Sequence, residues 1–225
     1  MPQLKALIFD LDGTLMDSAP DLRQAINLTL QDAGRKPLPL DEIKSLTGDG
    51  MLPMLSRAFA ATGPSITEKE AYNHFQVFIN HYRTLKPDPS QFYPHTVETL
   101  QWYRDHDIKI GLCTNKQETA THRLLKDLDI HSYFAFIAGG DTFPVHKPHP
   151  GHVLGVIEKL KISANSCVMI GDSTNDIRAA QAAGIPCIAV THGYGEDVGG
   201  LGADAVISHF KDLPAALETL GFQIL

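Results

Sequence analysis

The sequence is poor in cysteine and in positive charge, and it has no long hydrophobic run. Its three cysteines, Cys113, Cys167 and Cys187, each sit in an apolar stretch. No two have the close spacing of a metal-ligand or redox pair. A disulfide framework is therefore not expected, and buried thiols in a reducing cytoplasm are. Lys and Arg total 19 against 26 Asp and Glu, a net charge of -7. Binding a phosphate backbone needs a basic face, so nucleic acid is not an expected partner. A locally positive pocket for a small anion is still compatible with that charge. No segment approaches the ~20 apolar residues that span a bilayer, so no membrane partner is expected. The first residues run straight into a strand pattern and lack a signal-peptide layout. The composition fits either a monomer or a homodimer. With 225 residues, the chain can bury one large core or two modest ones.

What is present is alternation. Strand patterns over Ala6–Asp10, Ile108–Thr114, Phe134–Ala138, Cys167–Asp172, Pro186–Thr191 and Ala205–Ser208 are separated by helical ones. The helical patterns include Thr96–His106, Gln117–Leu128, Pro150–Leu160 and Asp176–Ala183. Several strands are continuous apolar runs, as when both faces of a parallel sheet are covered. The fold class this predicts is α/β, a doubly wound (Rossmann-like), mostly parallel sheet. From Asp17 to Leu85 the alternation stops and only helical signals appear. "SAPDLRQAINLTLQDAG" opens with capping-type residues and Pro20 and stops at Gly34. "TEKEAYNHFQVFINHYRTL" places Tyr72, Phe75, Phe78, Ile79 and Tyr82 on one broad face, expected to be core. The return passes through Pro87 and Pro89. The chain thus divides into an α/β core, 1–16 and 89–225, and an inserted helical cap, 17–88.

In open α/β sheets ligands bind beyond the carboxyl ends of the strands. The polar residues there are Asp10 and Asp12 in "LIFDLDGTL", Thr114 and Asn115 in "CTN", Lys147 in "VHKPHP" and Asp172 in "CVMIGDSTND". Two aspartates ending a buried strand repel each other and are costly to desolvate. A cation offsets that cost, and an all-oxygen donor set selects a hard one such as Mg²⁺. Ser173 and Asp176 have the spacing of a capping box opening the next helix, a role compatible with support of the metal from behind. His146, His149 and His152 in "HKPHPGH" suggest zinc at first sight. Two prolines and a glycine keep them off a common helical face, and no further ligand is apparent.

Taken in order, "DLDGT", "CTN", "HKP" and "GDSTND" resemble the four motifs of the haloacid dehalogenase superfamily of aspartate-nucleophile phosphatases. "PDLRQAINLTLQDAG", "TGDG" and "HGYGEDVGGLGADAVI" look like its phosphoglycolate phosphatase branch. The resemblance implies a Mg²⁺-dependent hydrolysis of a small phosphomonoester through an aspartyl-phosphate. Asp10 would be the nucleophile, ionised at neutral pH with an ordinary carboxyl pKa of about 3.9. Asp12 would be the acid and base, and Asp10, the Asp12 carbonyl and Asp172 would hold Mg²⁺. Thr114, the Asn115 amide and Lys147 would bind the phosphoryl oxygens. Gly13 would allow the sharp turn beside them. In the cap, Gly48 and Gly50 permit close backbone approach, either to a substrate carboxylate or simply in a turn between helices. A sugar phosphomutase or sugar-phosphate phosphatase shares these core motifs. From another class, a non-catalytic phospho-acceptor module combines similar residues on a similar sheet.

Overall fold

Ala6 and Ile8 point to one side of the first strand and Leu7 and Phe9 to the other, and all four are fully buried. This strand, β1 (Ala6–Phe9), lies inside a six-stranded sheet in the computed structural model, which describes residues 3–195 and 198–223. Its partners are β2 (Lys109–Cys113), β3 (Phe136–Ala138), β4 (Cys167–Gly171), β5 (Cys187–Val190) and β6 (Ala205–Ile207), in the order β3-β2-β1-β4-β5-β6. Every pairing is parallel. The doubly wound sheet expected from the alternation is therefore present. Strand ends are shorter than the apolar runs: β3 begins at Phe136, because Phe134 closes a short 3₁₀ turn.

Each face has its own core. Leu100 and Tyr103 of α5 (Thr96–Asp105), Leu124 and Leu125 of α6 (Glu118–Asp127) and Leu213 and Leu217 of α9 (Leu213–Thr219) cover Leu7, Phe9 and Ile170. Val153, Val156 and Leu160 of α7 (Pro150–Leu160) and Ile177 and Ala180 of α8 (Thr174–Ala183) cover Ala6, Ile8 and Met169. Cys113, Cys167 and Cys187 are free and buried, the last two in this second layer with Cys113.

Between β1 and α5 lie α1 (Ala19–Asp32), α2 (Leu40–Ser45), α3 (Met51–Thr62) and α4 (Glu68–Thr84). They form a third core around Leu22, Ile26, Leu55, Phe59 and Phe78. Thr67 and Glu70 close a capping box at the start of α4, with Thr67 N–H donating to Glu70 Oε2 at 2.8 Å. The apolar face of α4 is narrower than its sequence suggests. Phe78 and Ile79 are buried and Phe75 and Tyr82 partly so, but Tyr72 is 59% exposed. The two passages between sheet and helices run side by side: Asp17 N–H donates to the Gln91 carbonyl at 2.7 Å, and Tyr93 N–H to that of Leu15 at 3.2 Å. Among the described residues, no helix is long and apolar enough to cross a membrane.

Candidate active site

The sheet register fixes which residues meet. Phe9 is level with Leu112 on one side and Ile170 on the other. Asp10, Thr114 and Asp172 therefore emerge together at the carboxyl edge, and Lys147 joins them from the segment between β3 and α7. Lys147, buried, places its Nζ 2.9 Å from Asp10 Oδ1 and 2.5 Å from Asp176 Oδ1. The other Asp176 oxygen accepts from the Ser173 N–H at 3.0 Å and its hydroxyl at 2.6 Å. Asp176 thus caps α8 and positions Lys147 at once.

Asp172 has a different neighbourhood. Its oxygens accept from Thr14 Oγ1 and the Tyr194 N–H, each at 2.8 Å, and among the described residues it has no ion-pair partner. Gly13 adopts φ +89°, and a Cβ there would lie 2.3 Å from Asp172 Oδ2. The turn after β1 consequently requires glycine in order to admit the carboxylate of β4.

Burial raises the carboxyl of Asp10 to about 7; Lys147 opposes the shift and Asp176 adds to it. Burial, then Asp176 and Asp10, raise Asp172 to about 8. This corrects the expectation that Asp10 ionises like an ordinary carboxyl: in the metal-free protein, dehydration and two neighbouring carboxylates hold its proton. Lys147 shifts upward, since Asp10 and Asp176 outweigh its own desolvation.

Oxygens of Asp10, Asp172 and Asp176 lie within 4.8 Å of one another. Asp10 Oδ1 is buried and, although close to Lys147, makes no hydrogen bond of proper geometry. Lys147 and Ser173 occupy Asp176. The pair left to share a cation is Asp10 and Asp172, and their all-oxygen chemistry fits a divalent ion. The three histidines have other work. His152 is buried and accepts from the Lys147 N–H at 3.2 Å, and its Nε2 lies 3.1 Å from the Gly139 carbonyl. His149 Nδ1 accepts from the Gly151 N–H at 3.0 Å, and His146 is exposed.

Asp12 points away from that cluster. Both its oxygens lie 3.1 Å from the ammonium of Lys116, a side chain with no exposed surface, and Ser18 donates its hydroxyl to Oδ1. Ser18 is therefore drawn into the site and leaves the start of α1 uncapped by its side chain. Sequence reasoning missed Lys116, because a lone lysine is ordinarily solvated. Its one signal is that it follows Thr114 and Asn115 at a strand end.

The cap closes over these groups. The Gly48 carbonyl accepts from Asn115 Nδ2 at 2.9 Å and Asn175 Nδ2 at 3.2 Å, while Asn115 also holds the backbone of Lys147 through both its amide atoms. Gly48 and Gly50 have φ +116° and +95°, and a Cβ on Gly50 would stand 3.0 Å from the Asn115 carbonyl. Two spaces result, which share Asp10, Asp12, Thr47 and Gly48 as walls. An inner cavity of about 30 Å³ is lined by Asp10, Asp12, Thr114, Lys116 and the cap's Gly48 and Met51, among others. An outer cleft of about 580 Å³ runs past Lys44, Asp172, Asn175 and Tyr194. Tyr194, which sequence reasoning also missed, donates its hydroxyl to Asp17 Oδ1 at 2.8 Å, and Lys44 pairs with Asp17 at 3.1 Å.

Comparison with known proteins places the chain in a family. The family model described as haloacid dehalogenase-like hydrolase matches residues 7–190. A phosphoglycolate phosphatase of Agrobacterium fabrum is 42% identical over 95% of this chain and 92% of its own length. The crystal structure of a predicted phosphoglycolate phosphatase from Haemophilus somnus superposes with a TM-score of 0.89 at 28% identity, covering 96% of this chain and 98% of that one. A β-phosphoglucomutase of Clostridium difficile superposes at 0.80 with 24% identity, over 97% and 99% of the two chains, a likeness of fold.

Proposed function

The chain belongs to the haloacid dehalogenase-like hydrolases and is a phosphoric monoester hydrolase, and we propose that it cleaves a small phosphomonoester, 2-phosphoglycolate foremost, with Mg²⁺ and through an aspartyl-phosphate. The observation that carries the choice of a small substrate is the close approach of the cap to Asp10 and Asp12: Leu22, Thr47, Gly48, Gly50, Met51 and Met54 line one narrow space with both carboxylates. The similar A. fabrum enzyme supports the glycolate ester in particular.

An Asp10 carboxylate oxygen attacks phosphorus, and the bond from phosphorus to the ester oxygen breaks. Asp12, once it has taken up a proton from solvent, gives that proton to the leaving oxygen and afterwards takes one from the water that attacks the aspartyl-phosphate, which restores its protonated form. Hydrolysis returns Asp10 as a carboxylate and releases inorganic phosphate. Asp10, Asp172 and the Asp12 carbonyl would hold Mg²⁺. When bound, the ion screens the attacking carboxylate from the phosphate dianion. Lys147, held by Asp176, balances charge on the transferring group, and the Thr114 hydroxyl and Asn115 amide bind its oxygens. Gly13 keeps the turn open beside them.

A panel of 2-phosphoglycolate, glucose 1-phosphate, nucleotides, pyrophosphate and an aryl phosphate, each with Mg²⁺ and with EDTA, tests the reading. Release of phosphate is expected to be fastest from the glycolate ester and absent in EDTA. Isomerisation of the sugar phosphate without net phosphate release would establish a mutase instead. A stable phosphoprotein that does not turn over would point to a phospho-acceptor module.

A further inference from the structure

Among the described residues, the inner cavity contains one cation, Lys116, and its placement is unusual for a lysine. The side chain is wholly buried, its ammonium lies 3.1 Å from each Asp12 oxygen, and it sits 5.0 Å from the centre of the Tyr82 ring on α4. The other cations of the site are committed elsewhere. Lys147 lies between Asp10 and Asp176. Lys44 stands in the outer cleft against Asp17, and Arg57 pairs with Asp49 at 2.6 Å and donates to the Leu46 carbonyl.

We propose that Lys116 is the specificity-determining residue for the leaving group, its ammonium binding a carboxylate carried on the carbon next to the ester oxygen. The proposal rests on the reading of the site as one for a small phosphomonoester. Its geometry follows from Asp12. The acid must face the leaving oxygen, so a group lying one hydrogen bond beyond Asp12 meets whatever is attached to the first carbon of the leaving group. An anion there can share the ammonium with Asp12, which relieves a buried lysine of dependence on a single partner. Of the cap residues on the cavity wall, Leu22, Met51 and Met54 offer no hydrogen bonds to a polyhydroxylated ring, which leaves Thr47 and the backbone of Gly48 and Gly50 as its polar partners there. The substrate class that fits is the phosphate ester of a short α-hydroxy acid.

The test compares kcat/KM for 2-phosphoglycolate and ethylene glycol monophosphate in the Mg²⁺-loaded enzyme. The two esters have primary alkyl leaving groups of equal length and differ in the terminal charge, so a change in Asp12 affects both and largely cancels in their ratio. Wild type is expected to favour the acid. Lys116→Met should lower that preference about 10- to 100-fold, the worth of a hydrogen bond to a charged group, chiefly through KM for the acid. Lys116→Arg, which keeps the charge, should restore part of it. If Lys116→Met does not fold, Lys116→Gln is measured in its place. An unchanged ratio in a folded variant overturns the proposal and leaves the glycolate reading standing. A wild-type enzyme with no preference for the acid overturns both. Collapse of the ratio in Lys44→Met, with Lys116→Met unaffected, would transfer recognition to the outer cleft and likewise overturn it.

Discussion

Replacing Asp172 by asparagine is expected to stabilise the metal-free protein while removing its response to a divalent ion. Asp172 and Asp10 present oxygens within 4.8 Å, both buried. At an effective dielectric constant of 20, two unit charges at that separation repel by ~3 kcal/mol. Asparagine removes the repulsion and the desolvation of one charge. Against this, the amide has a single acceptor oxygen where Thr14 and Tyr194 both donate at 2.8 Å. An imperfectly met donor costs ~1–3 kcal/mol, and the Thr14 hydroxyl limits the loss by rotating to accept. The net gain is ~1–2 kcal/mol once both carboxyls ionise, or a rise in Tm of about 2–8 °C for a chain of this size.

The sign of the pH dependence follows from the direction of the shifts. Asp10 at about 7 and Asp172 at about 8 both lie above their ordinary value of 3.8, so the folded protein binds protons that the unfolded chain has released. Stability of metal-free wild type is therefore fully present below about 3.8, declines as pH rises from there, and has been lost once pH passes the folded values of about 7 and 8. Asp172→Asn removes part of that decline. Thermal melts in EDTA between about pH 4 and 9 should show the variant's advantage growing with pH from its smallest value near pH 4, where both carboxyls are protonated in the unfolded chain as well, and levelling above about 8. Adding Mg²⁺ should reverse the order, raising wild type and leaving the variant unmoved. A constant difference across this range, or a variant that Mg²⁺ still stabilises, would refute the reasoning.

Three further substitutions separate the roles in the site. Asp10→Asn should retain the fold and lose turnover altogether, because an amide is not a nucleophile; circular dichroism and a phosphate-release assay decide it. Asp12→Ala should cost ~10²–10⁴-fold with an alkyl phosphate and much less with an aryl phosphate whose leaving group needs no proton. Equal losses, with the second step shown not to limit, would remove Asp12 as the acid. Gly50→Val forces a β-branched residue to φ +95° with its Cβ 3.0 Å from the Asn115 carbonyl, and Gly48→Val imposes φ +116°. Both should raise KM for 2-phosphoglycolate far more than for the aryl ester, and an equal loss on both esters would make the loop a general closure element.

What could be read from the sequence is what violates an ordinary burial rule. Asp10, Asp12 and Asp172 end apolar strands, where a carboxylate has no business without a partner, and the structure brings all three to one edge. Lys116 and Tyr194 violate nothing locally. A lysine after a strand-end turn and a tyrosine in a glycine-rich loop both have solvated places to go. Their contacts to Asp12 and Asp172 span more than a hundred residues and twenty-two, respectively. Ser18 illustrates competition between two good uses: it stands where a helix cap belongs, yet its hydroxyl goes to Asp12. The aromatic spacing of α4 reads as too broad a face, since Tyr72, in the first turns of the helix, is exposed while Phe78 and Ile79 further along are buried.

The charges of the site explain why two of its four aspartates are left for a cation. Asp10, Asp12, Asp172 and Asp176 carry up to four negative charges against two from Lys116 and Lys147. Lys116 meets both oxygens of Asp12, and Lys147 meets Asp176 at the shortest ion-pair distance of the cluster, 2.5 Å. Those pairings nearly neutralise themselves. Asp10 keeps a share of Lys147, and Asp172 has donors that carry no net charge. The deficit of two charges therefore sits on Asp10 and Asp172, whose carboxyls burial raises. A divalent ion cancels that deficit, where a monovalent one leaves an excess negative charge facing an incoming phosphate dianion. Asp176, although it completes the geometric cluster, is already neutralised by Lys147 and is better suited to holding that lysine than to holding the metal. Asp176→Asn should consequently leave a measurable Mg²⁺-induced rise in Tm while lowering kcat through a misplaced Lys147. Loss of the metal response in a folded Asp176→Asn protein would make Asp176 a ligand after all.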